Sequence, residues 1–76
     1  MKEFVRVLAE IDEYGNKKPR VITLKGREYI IDRIIEVKNR ASMKAGGVGE
    51  RYTIRIGDNQ TYLYCEFDKW YVELKG

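Results

Sequence analysis

Seventy-six residues, 43% hydrophobic and 36% charged, suit one small globular domain spanning residues 1–76. A chain this short buries only about 60% of its unfolded surface, so its core is compact and leaves no room for a large internal cavity. There is no histidine, and Cys65 is the single cysteine. Zinc sites built on His and Cys, an internal disulfide, and Ser-His or Cys-His nucleophile pairs are therefore excluded.

The charge is +3 overall but unevenly placed. Residues 17–55 hold eleven Lys or Arg against four Asp or Glu, while both ends are acidic. A basic middle of this kind points to an anionic partner. No apolar run approaches the roughly 18 residues of a membrane span, so no membrane partner is expected. The first residues, MKEFVRVLAEIDEYG, lack the apolar stretch of a signal peptide, which predicts a cytoplasmic protein.

In chain order, Val5, Val7, Ala9 and Ile11 alternate with Phe4, Arg6, Leu8 and Glu10, the period of a strand. Asp12 to Pro19 follows as a loop punctuated by Gly15-Asn16 and Pro19. Arg20 to Leu24 is a second strand, and Lys25-Gly26 a tight turn. Residues 28–38, EYIIDRIIEVK, fit two patterns. Ile30, Ile31, Ile34 and Ile35 suit an amphipathic helix capped by Gly46. Four β-branched isoleucines and Val37 favour a strand, with a bulge near Asp32-Arg33 accounting for the slip in phase. The neighbouring elements are strands, so we read a bent strand.

The C-terminal third predicts a three-stranded meander. RYTIRI (51–56) and TYLYCEF (61–67) flank a turn at Asp58-Asn59 that sets Arg55 opposite Tyr62 and Arg51 opposite Glu66. A second turn at Asp68-Lys69 pairs Phe67 with Trp70 and Cys65 with Val72. Ile54, Leu63, Cys65, Phe67, Trp70, Val72 and Leu74 then share one face. Five to six short antiparallel strands must close on themselves to shield their edges, which predicts an all-β, SH3-like or OB-like barrel.

The spacing Gly26-Arg27-x-Tyr29-x-Ile31, then Ile34, Val37, Arg51-Tyr52-x-Ile54, Tyr62-Leu63 and Trp70-Tyr71-Val72 resembles small uncharacterised bacterial β-barrel proteins of unknown function. Some of these are similar to proteins encoded beside error-prone DNA polymerases. The resemblance runs from about residue 20 to 74 and rests on a turn glycine, core aliphatics and a terminal tryptophan. It implies a barrel and transfers no catalytic residue.

The stretch KAGGVGER (44–51) has the look of a phosphate cradle, but Glu50 and Arg51 stand where such a loop needs Lys and Ser or Thr. It also precedes a strand rather than a helix N-terminus. Three glycines beside Lys38, Arg40, Lys44 and Arg51 still allow close approach to an extended anion. On the outer face of the meander, Tyr62, Tyr64 and Tyr71 are interleaved with Arg51, Thr53 and Arg55, a pattern that can stack bases and track phosphates. Glu66 and Glu73 fall within that face, leaving the Arg55–Tyr62 end as the part without an acid. Cys65 reads as inert packing and Trp70 as a core or rim anchor. The pairs Asp12/Glu13 and Asp32/Glu36 have no spacing that sets them apart from solvated carboxylates.

The sequence thus predicts a non-enzymatic binding module without a cofactor. Its expected partner is single-stranded nucleic acid, held by Lys38, Arg40, Lys44, Arg51 and Arg55 with Tyr62 as a stacking platform. The alternative is a protein–protein interaction adaptor that takes a peptide at an edge strand or on the Tyr-rich face.

Overall fold

The computed structural model describes residues 1–41 and 48–74. Its seven strands are β1 (Lys2–Ile11), β2 (Lys17–Leu24), β3 (Arg27–Ile30), β4 (Arg33–Ala41), β5 (Val48–Ile56), β6 (Asn59–Glu66) and β7 (Lys69–Glu73). They form one antiparallel sheet in the order β3-β2-β1-β7-β6-β5-β4, curled into a half-barrel. The expected all-β class holds, and the described residues form a seven-strand sheet. Residues 27–41 are extended, as the β-branched isoleucines predicted, and contain no helix. The bend at Ile31-Asp32 divides them into two strands.

That bend determines the shape. Ile31 N–H donates to the Arg20 carbonyl at 2.8 Å, and Asp32 N–H donates to the Arg55 carbonyl at 2.9 Å. Two consecutive residues thus reach β2 on one side of the sheet and β5 on the other. The Asp32 carboxylate also accepts from Gly57 N–H at 2.7 Å, which ties the bend to the β5–β6 turn. The bulge lies slightly later than expected, at Ile35, where the β4–β5 register shifts between Ile34 and Glu36.

β1 alternates as its sequence dictates. Val5, Val7 and Ala9 turn towards the concave side, while Phe4, Arg6 and Leu8 are exposed. β2 begins at Lys17, three residues earlier than the sequence suggested, and so contains Pro19. Pro19 stands opposite Ala9 beside the bulge at Arg20, where the β1–β2 ladder shifts between Leu8 and Ala9, and a proline is tolerated next to such an irregularity.

The concave side holds the core: Ile22, Ile31, Tyr52, Ile54, Leu63 and Cys65. Val5, Val7, Leu24, Ile34, Ile56, Trp70 and Val72 pack against them. The Tyr52 and Trp70 rings meet at 5.3 Å. Ile54 and Leu63 are fully buried, each stabilising the fold by about 1.5–3 kcal/mol.

Both meander turns fall one residue before their expected places. Ile56 pairs with Asn59 around Gly57-Asp58, and Glu66 pairs with Lys69 around Phe67-Asp68. Gly57 takes φ +60°, a conformation glycine adopts without a Cβ penalty, so it displaces Asp58-Asn59 as the turn. Each slip moves the register by two residues and so preserves the faces. The partners change: Arg51 faces Tyr64 rather than Glu66, and Arg55 faces Gln60 rather than Tyr62. Phe67 leaves the core face for the turn, where it is exposed.

Candidate nucleic-acid interface

The convex face is built by the odd-numbered residues of β5 and everything directly opposite them. One row crosses five strands: Lys38, Arg51, Tyr64, Tyr71 and Phe4, on β4, β5, β6, β7 and β1. On one side of it lie Glu36, Thr53 and Tyr62, then Arg33, Arg55 and Gln60. On the other lie Arg40, Gly49, Glu66 and Lys69. Directly opposed side chains across a ladder have Cβ atoms about 4.5–5.5 Å apart, so each row is a contact line.

Four rings form a continuous chain along this face. Phe4 meets Tyr71 edge-on at 5.8 Å, and Tyr71 stacks on Tyr64 at 4.9 Å with planes 6° apart. Tyr64 in turn meets Tyr62 at 6.5 Å. The Arg51 guanidinium lies 4.6 Å from the Tyr62 ring centre, and Lys2 Nζ sits 4.6 Å from that of Tyr71. Cations at this range are held by the ring quadrupole. Phe4 and Tyr62 are exposed, whereas Tyr71 is buried beneath its neighbours.

The acids on the face are engaged. Glu66 accepts from the Tyr71 hydroxyl at 3.0 Å and lies 3.7 Å from Lys2 Nζ. Glu73 faces the terminal amine at 3.3 Å, and Glu36 lies 3.9 Å from Lys38 Nζ. Among the described residues, Arg33, Arg51, Arg55 and Lys69 carry no ion pair on this face. Arg51 Nε is buried without a hydrogen-bond acceptor, so the group is held by ring contact rather than by a carboxylate. Arg33 and Arg55 stand directly opposite each other, a like-charge pair that costs stability unless an anion bridges it.

Five of the six expected site residues, Lys38, Arg40, Arg51, Arg55 and Tyr62, come from three strands onto this one face. For Arg40 the placement is that of its backbone. Lys44, with most of the glycine stretch, lies outside the described residues. The Arg55–Tyr62 end is not free of acids as expected, because Glu36 stands across Thr53 from Tyr62. Phe4 was missed. Its exposure alternates correctly in the sequence, but only the β1–β7 pairing brings it to the tyrosines.

A second concavity opens where β2 and β4 diverge beyond the bend, a cleft of about 770 Å³ lined by Asp12, Lys17, Arg20, Arg33, Glu50 and Tyr52 among others. Most of its charges have partners. Lys17 Nζ donates to Asp68, which raises the lysine pKa and lowers that of the aspartate. Arg20 bonds Glu10 at 2.8 Å. Asp12 accepts from the backbone N–H groups of Asn16 and Tyr14 and from the Asn16 amide, so its pKa falls. Burial raises the Cys65 thiol. Among the described residues no three His, Cys, Asp or Glu side chains gather as a metal site would require.

The fold and this face define an antiparallel all-β half-barrel with an aromatic and basic convex surface. No protein-family model matches the chain, and no curated protein or solved structure matches it either. No helix of the described residues is long and apolar enough to cross a membrane.

Proposed function

We propose that the chain is a non-enzymatic binding module, a small barrel of the SH3-like or OB-like kind, that takes single-stranded nucleic acid on its convex face. The observation that carries this reading is the Arg51–Tyr62–Tyr64 corner. A guanidinium and two accessible rings lie side by side there, with Lys38 directly opposite Arg51 and the Arg33–Arg55 pair in the next row beyond Tyr62. Every base has a π-face, so such rings stack bases without demanding a sequence, while arginines and lysines follow the phosphates. Tyr62 and Phe4 serve as the stacking platforms. Lys38, Arg40, Lys44, Arg51 and Arg55 neutralise the backbone.

The fold supports a surface role rather than a buried site. A duplex offers no exposed base faces, so single strands are the favoured form. The test is a titration of fluorescently labelled oligothymidine and oligouridine at two salt concentrations. Affinity should fall steeply between about 50 and about 200 mM salt. Absence of binding at the lower salt overturns the reading. A protein-interaction adaptor is the second reading, and the edge of β4, which no other strand of the described residues covers, favours it.

A further inference from the structure

β4 is the outermost strand on its side of the sheet and runs for nine residues. Among the described residues it pairs with β5 alone. Beyond the bend its other edge turns away from β2 across the cleft, so among the described residues no strand covers it. Two of its β-branched side chains remain open, Ile35 at 43% and Val37 at 48% exposure. A long edge with apolar side chains is a template for another strand.

The charges on this edge select that strand. In an antiparallel pairing centred on Val37, Glu36 faces Lys38 of a second copy, and Lys38 faces its Glu36. Both side chains lie on the convex face, already 3.9 Å apart within one chain. The pairing therefore makes two opposed ion pairs and sets Val37 against its own copy, each a favourable cross-strand contact. Moving the axis to Glu36 sets Glu36 against Glu36, and moving it to Lys38 sets Lys38 against Lys38 although Glu36 then faces Arg40, so the Val37 register is the one of the three without a like-charge contact.

Surface area points the same way. The chain exposes 5937 Å². A monomer of 9.0 kDa should expose about 4,850 Å². The excess, roughly 1,100 Å² for one chain, is more than the ~600 Å² that each partner of a small specific interface buries.

We propose that the protein forms a two-fold dimer in which β4 pairs antiparallel with β4 of a second copy about Val37. The two convex faces then run into one another, and Lys38 and Arg51 of each copy lie near the axis of one continuous basic surface. The proposal is independent of the nucleic-acid reading, because the edge, its charges and the exposed area carry it.

Sedimentation equilibrium on the nuclease-treated full chain tests it, from about 5 to about 500 µM. The apparent mass should rise from the 9.0 kDa of one chain towards twice that value. Glu36→Lys and Lys38→Glu should each weaken self-association about tenfold or more, and the double exchange E36K/K38E should restore it. In the unmodified chain, amide exchange at Glu36–Lys38 should slow as concentration rises, a readout that needs no variant. A mass that stays at one chain throughout, association that both single reversals leave intact, or a double exchange that does not restore it overturns the proposal.

Discussion

Tyr64 and Tyr71 face each other on β6 and β7 with their rings 4.9 Å apart and nearly parallel, and this pair gives the convex side a small core of its own. Tyr71 is only 2% exposed although it points away from the main core. Phe4, Tyr64 and Lys2 pack around it, and its hydroxyl donates to Glu66. Tyr71→Ala should therefore cost about 3 kcal/mol or more, as large-to-small changes at buried aromatics do. Tyr71→Phe should cost about 1 kcal/mol, the worth of one hydrogen bond. Urea unfolding followed by tryptophan fluorescence measures both.

Tyr62 differs from Tyr71 in being exposed at 43%, so its removal should spare the fold and affect binding. Tyr62→Ala should weaken binding of a single-stranded oligonucleotide by about 1–3 kcal/mol, the range for one stacked base. Arg55→Ala should weaken it for all sequences alike and lower the salt slope by roughly 0.7. Fluorescence anisotropy over a salt series separates the two effects. Equal, salt-independent losses from both variants would contradict the assigned roles.

Gly49 is required by closeness rather than by backbone angle. A Cβ built there would lie 2.8 Å from Glu66 Cγ and 2.9 Å from the Cys65 carbonyl oxygen. The glutamate can swing aside, but the backbone oxygen belongs to the β5–β6 ladder and cannot. Gly49→Ala should destabilise by about 1–3 kcal/mol, the usual cost of overpacking. A lowered denaturation midpoint with an unchanged m-value is the expected signature.

Phe67 sits in the β6–β7 turn at φ +51°, next to Asp68 at +63°. A bulky residue rarely adopts this region, while asparagine does so readily. The ring is 67% exposed and adds little packing in return. Phe67→Asn should raise stability by roughly 0.5–1 kcal/mol, seen as a higher melting temperature.

Alkali should unfold the protein through Tyr52. Burial pushes its phenol from 10.0 up to about 12. A raised native pKa contributes stability that is complete below about pH 10 and lost as pH rises towards 12. The buried Cys65 thiol, and Lys17 through its bond to Asp68, act in the same direction. Asp12 and Asp68 have lowered values, so their contribution is present above the ordinary carboxylate range and lost as pH falls. Tyr52→Phe should flatten the alkaline limb by about 2 kcal/mol in urea titrations at successive pH values.

The faces of the strands were legible in the sequence, because a period of two survives an error in register. Ile54, Leu63 and Cys65 fell on the core side and Arg51, Arg55 and Tyr62 on the other even though both turns were displaced by one residue. The turns themselves were harder. Gly57 competed with an equally suitable Asp58-Asn59, and nothing local marks Phe67 for a left-handed conformation. The bend at Ile31-Asp32 was visible as a slip in the isoleucine pattern. Its bonds to Arg20 and Arg55 were not, since each depends on a strand that is distant in sequence. Phe4 was missed from the candidate interface for the same reason. Its place beside Tyr71 is fixed by the meeting of the first and last strands, which no local pattern encodes.

That meeting has a kinetic consequence. Five of the six strand pairings join successive strands, or strands across a single turn, and form from short loops. The sixth sets Lys2 against Glu73 and must gather nearly the whole chain. Closing so long a loop carries the largest entropic cost of any pairing in the sheet. The separate hairpins should therefore form first, with the rate at which the chain becomes native set by how quickly its two ends find each other.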